Sequence, residues 1–126
     1  MSLSNVESFK VASTLSAYRI VYVSAADTVA YGLTVTNCPI GITQDTVLDT
    51  TMAIPVKTHG LSRLEFNDSV AAGGLVASNT LGMGVPFSAL SASASYAVGI
   101  LVGPKVNTTG TVADVLIMPI CDRASA

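Results

Sequence analysis

A chain of 126 residues is one domain's worth, long enough for a single core but not for two independent ones. Half of the residues are hydrophobic and only 11% are charged, so the surface is poorly solvated and is expected to be buried in part against copies of itself or a larger partner. Six Lys and Arg against eight Asp and Glu give no basic field, which argues against nucleic acid as a partner. No run reaches the roughly 18 to 20 apolar residues of a membrane-spanning helix, so no membrane partner is expected either.

The opening Met1-Ser2-Leu3-Ser4-Asn5-Val6-Glu7 has neither the positive start nor the apolar run of a secretory signal, and the chain is expected to be made in the cytoplasm. Residues 1–8 read as an N-terminal arm, in which Leu3 and Val6, with Phe9 just beyond, are spaced among small polar residues as if to order on a partner. From residue 9 to 120 the recurrent unit is a short β-branched or aliphatic run closed by Gly, Pro, Asn or Asp, the pattern of an all-β domain. Predicted strands cover residues 9–12, 19–23, 29–33, 39–43, 52–56, 63–66, 75–77, 85–87, 97–101 and 112–117. Their close spacing suggests a small barrel or sandwich. Residues 88–95 are mostly Ala and Ser with one large anchor, Leu90, and read as a loop. Residues 121–126 form a C-terminal tail.

A weak internal echo runs through this order. Residues 19–23, Ile40-Gly41-Ile42 and residues 52–56 are followed by residues 74–77, Val98-Gly99-Ile100 and residues 116–120. Each half carries an aliphatic-Gly-aliphatic strand and then an aliphatic-Pro-aliphatic one, as a duplicated β-unit would, although chance similarity explains such short runs about as well.

Few residues offer chemistry. His59 is the single histidine, and no nucleophile motif accompanies it, so a solvated turn residue is the expected reading. One His and two separated Cys cannot supply a zinc set, and no metal or other cofactor is predicted. Cys38 and Cys121 stand in no paired motif and are expected to stay free, as small hydrophobes. Asp45 and Asp49 read as turn residues rather than a catalytic carboxylate pair. Tyr18, Tyr22 and Tyr31 cluster in the first strands, where tyrosines commonly bury the ring and expose the hydroxyl at a subunit boundary. They are the candidate subunit-interface residues.

From about residue 9 to 120 the chain resembles the small head decoration, or cement, proteins of tailed bacteriophages. The resemblance is carried by Arg19-Ile20-Val21-Tyr22-Val23, Pro39-Ile40-Gly41-Ile42-Thr43, Ala71-Ala72-Gly73-Gly74-Leu75-Val76-Ala77, Ala97-Val98-Gly99-Ile100-Leu101 and Asp114-Val115-Leu116-Ile117-Met118-Pro119, in the family's order. It implies a β-barrel-like or β-tulip-like subunit, trimeric or dimeric, that docks on the exterior of a phage capsid where capsomers meet. Its partners would be the major capsid protein and copies of itself. It implies no active site and a place in the virion, with Leu3, Val6 and Phe9 as the candidate capsid-docking residues. An older label of recombinase attached to that family finds no support in a chain lacking a phosphate loop and a basic surface. Two other readings compete: a virion-surface glycan- or ligand-binding β-domain using the tyrosines, and a small hydrolase centred on His59.

Overall fold

The computed structural model of the chain describes residues 6–31, 38–87, 97–103 and 110–120. Leu3, the predicted loop at residues 88–95 and the tail at 121–126 lie outside them. Among the described residues ten strands form: β1 (Val6–Val11), β2 (Ile20–Ala25), β3 (Thr28–Tyr31), β4 (Pro39–Thr43), β5 (Ile54–Lys57), β6 (Gly60–Glu65), β7 (Leu75–Ser78), β8 (Gly84–Pro86), β9 (Ala97–Leu101) and β10 (Val112–Ile120). Every predicted strand is present and the protein is all-β. The ends move: β1 begins at Val6 rather than Phe9, and β10 runs to Ile120 rather than Ile117.

The first five strands close into a barrel in the order β1-β3-β2-β4-β5, with β5 returning to β1. The pair β1–β3 is parallel and the other neighbours are antiparallel. The last five form a sheet in the order β6-β10-β9-β7-β8, antiparallel throughout.

These two units are the same structure built twice. Val21–Tyr31, Tyr22–Ala30 and Val23–Val29 on β2–β3 are matched in order by Val76–Pro86, Ala77–Val85 and Ser78–Gly84 on β7–β8. Ile20–Ile42 and Val21–Gly41 are matched by Leu75–Ile100 and Val76–Gly99. Val6–Lys57 through Phe9–Ile54 are matched by Leu61–Leu116 through Leu64–Ala113. Even the parallel closure survives as one bridge, Phe66–Gly84, in the place of Val11–Val29. The sequence echo placed two of its three correspondences correctly. The third fails: the ladders equate residues 54–58 with 113–117, so that Asp114, paired with Arg63, stands where Pro55, paired with Ser8, stands in the first unit.

The second unit stays open because the first is inserted into its seam. In the closed barrel the Lys10 N–H donates to the Asp27 carbonyl at 2.7 Å and the Ala12 N–H to the Val29 carbonyl at 3.3 Å. The Asn67 N–H repeats the second of these bonds, donating to the Gly84 carbonyl at 2.8 Å. In place of the first, the Glu65 N–H donates to the Tyr18 carbonyl at 2.9 Å, and the Ile20 N–H donates to the Gly82 carbonyl at 2.7 Å. Gly82 has φ 76°, and a Cβ there would lie 2.7 Å from the Ile20 carbonyl oxygen and 2.8 Å from Tyr31 Cδ1, so glycine is needed for the inserted strand to enter.

Two apolar clusters result, where the length suggested one core. Val11, Leu15, Val21, Val29, Val47, Ile54 and Val56 fill the barrel. Leu64, Phe66, Val70, Val76, Val98, Leu101, Val115 and Ile117 fill the second unit together with Ile20 and Ile42 of the first. Side chains alternate along β2, so Val21 serves one cluster and Ile20 the other. The cores therefore are not independent. Burying Ile20 and Ile42, which are 1% and 0% exposed, holds the units together with about 1.5–3 kcal/mol each.

Cys38, expected as a free thiol, is disulfide-bonded. The chain's other cysteine, Cys121, lies outside the described residues. Cys38→Ser is expected to lower stability under oxidising conditions by about 2–4 kcal/mol. Melting with and without reductant checks this, since the variant should lose the reductant sensitivity of the parent.

Candidate functional site

The candidate docking residues meet the barrel early. Val6 is the first residue of β1, lies opposite Lys57 and is 36% exposed. Phe9 lies opposite Ile54 and packs half-buried against the first cluster. The segment expected as an arm, residues 1–8, thus contributes Val6, Glu7 and Ser8 to the ladder with β5.

The three tyrosines do not form one platform. Tyr31 is paired with Val21, packs against the first cluster, and its hydroxyl accepts a hydrogen bond from the Ser16 N–H. Tyr22, one residue on from Val21, projects to the opposite face of the ladder and is half-buried. Tyr18 precedes β2 with φ 62°, a conformation that costs a non-glycine residue about 1 kcal/mol or more. Its counterpart in the second unit is Gly73, with φ 80°.

Arg19 ties the units together, a role with no signal in the sequence. Its Nε donates to Glu65 Oε1 at 3.2 Å, and an Nη donates to the Leu81 carbonyl at 3.0 Å. The guanidinium also lies over the Tyr31 ring, 5.7 Å from its centre. With the two side chains 17% and 29% exposed, the ion pair is partly desolvated but still close enough to water to contribute only about 1 kcal/mol.

The polar groups weighed for chemistry are dispersed. His59 is exposed, with Nδ1 3.2 Å from Thr58 Oγ1. The Thr51 N–H and hydroxyl both donate to Asp49 Oδ1, at 2.9 and 2.8 Å, and hold that carboxyl below its ordinary value. This is a turn anchor. Among the described residues no three His, Cys, Asp or Glu come together as a metal-binding group.

The outer face of the second sheet is more distinctive. Leu61, Leu116, Ile100 and Leu75 stand side by side on β6, β10, β9 and β7, paired in that order across the sheet. Leu61 is 56% and Leu75 36% exposed, and the middle two are half-buried. Val112 and Met118, also exposed, flank the row along β10. A hollow lies at each end. One, of about 310 Å³, is lined by Tyr18, Gln44, Leu61, Ser62, Arg63 and Asp114. The other, of about 330 Å³, is apolar and formed by Val70, Ala71, Gly74, Leu75, Pro86 and Phe87.

No protein-family model matches the chain, and no curated protein matches its sequence. Its structure is similar to the crystal structure of the N base of head fiber gp8.5 of bacteriophage phi29, with a TM-score of 0.68 at 15% sequence identity, covering 90% of this chain and 92% of that one. The shared fold therefore spans both units.

Proposed function

We propose that the protein is a non-enzymatic structural component of a phage virion, which binds the outer surface of the capsid between capsomers and stabilises the shell. The observation that carries this reading is the fold held in common, over nine-tenths of both chains, with the base of a phage head fiber. The sequence resemblance to head decoration proteins points the same way, and so does a chain in which only 11% of the residues are charged. The major capsid protein and copies of this chain are the partners. A subunit of this kind acts by bridging neighbours, so that parting two capsomers also exposes the apolar area it covers, at roughly 25 cal/mol per Å². Repeated around a shell, weak contacts sum to a large resistance.

The test is co-sedimentation of the purified protein with shells that lack it, followed by thermal disassembly monitored by light scattering. Saturable binding and a raised disassembly temperature are expected. Shells that bind none of it overturn the reading. Removing residues 1–5 leaves β1 whole, so the same assay on that truncation tests the docking role of the N-terminus. A loss of shell occupancy at unchanged melting temperature is expected.

A further inference from the structure

The outer row Leu61–Leu116–Ile100–Leu75 has a counterpart in the first unit, and two of that counterpart's four positions are already an interface. The matching positions are Val6, Lys57, Ile42 and Ile20. Ile42 and Ile20 are buried in the second unit's cluster, whereas Ile100 and Leu75, at the same places in the second unit, face outward. Half of one copy of this sheet face thus docks inside the chain. The other copy, more apolar because Leu116 replaces Lys57, leaves Leu61 56% and Leu75 36% exposed.

We infer that this face of the second unit is where a second copy of the chain docks, sheet against sheet about a twofold axis. The occupant follows from three observations. Half of the equivalent face already packs on a β-surface of this same chain, so its shape suits such a partner. Next to the aliphatic row, Arg63 and Asp114 lie directly opposite each other on β6 and β10, and they form no ion pair among the described residues. Across a twofold axis each copy's Arg63 meets the other's Asp114, so the face is complementary to itself in charge. The row also runs between two hollows, one containing Leu61 and the other Leu75, which gives the exposed leucines of a copy somewhere to pack. The inference rests on the virion-structural reading only for the expectation that the protein self-associates.

Light scattering during size exclusion, with the intact chain at about 100 μM, is expected to give twice the chain mass. Leu61→Asp and Leu75→Asp are each expected to give monomers that melt within a few degrees of the parent, since both side chains are exposed. Arg63→Asp and Asp114→Arg are each expected to weaken the dissociation constant by about tenfold, and the double reversal to restore it. A monomeric parent, a dimer that survives Leu61→Asp, or a double reversal no tighter than the singles overturns the proposal. Co-sedimentation with shells separates this outcome from the function. A shell-binding monomer removes the dimer face and leaves the virion role, whereas a dimer that ignores shells does the reverse.

Discussion

Gly99→Ala is expected to cost about 4 kcal/mol or more, which for a domain of this size lowers Tm by roughly 15 °C. A Cβ at this position would lie 2.0 Å from the Leu116 carbonyl oxygen, 2.9 Å from its carbon and 3.2 Å from Ile117 Cα. All three atoms belong to the backbone of β10, so no rotamer change relieves the contact. β9 would have to move off β10, disturbing the ladder at the centre of the second sheet and the cluster beneath it. Gly41 occupies the same place in the first unit, and a Cβ there would lie 2.1 Å from the Lys57 carbonyl oxygen. Gly41→Ala should therefore fail to a similar degree. Thermal unfolding of both variants checks the steric claim and the duplication together. A shift under about 5 °C in either would show that the strands can separate cheaply.

The second large effect concerns a pair. Val11 and Val29 of the barrel are replaced in the second unit by Phe66 and Gly84, a large and a small residue for two of middle size. Phe66 is fully buried, and a Cβ on Gly84 would lie 2.7 and 2.8 Å from two atoms of its ring and 2.9 Å from Leu64 Cδ2. Gly84→Val overfills the cluster and is expected to cost about 2–3 kcal/mol. Phe66→Val leaves a void beside a glycine and is expected to cost about the same. The double variant recreates the barrel's own solution. It is expected to recover about 1–3 kcal/mol of the summed losses, read from urea unfolding as a double-mutant cycle. Additive losses would mean that the ring does not occupy the space the glycine vacates.

Much of the architecture was written locally. The short β-branched runs with Gly and Pro punctuation specify all ten strands, since a strand needs only alternating side chains and a turn residue at its end. The repeat of Ile40-Gly41-Ile42 in Val98-Gly99-Ile100 was visible, and its reason is now physical: each glycine lets a neighbouring backbone pass too close for a side chain.

What the residues could not announce was which atoms meet across the chain. Tyr31, a candidate for a subunit boundary, is half-buried on the first cluster, with its hydroxyl accepting from the Ser16 N–H and its ring under Arg19, and Phe9, a candidate for docking, is half-buried on the same cluster. Arg19 reads as an ordinary strand residue until Glu65 and the Leu81 carbonyl arrive from the other unit. Cys38 reads as a lone thiol, yet it is disulfide-bonded. Whether an aliphatic row is core or outer face was equally undecided, because Ile20 and Leu75 have the same local pattern and opposite fates. Strand formation depends on neighbours in sequence, whereas closure, insertion and exposure depend on pairings between distant segments, and those were decided only when the first unit entered the seam of the second.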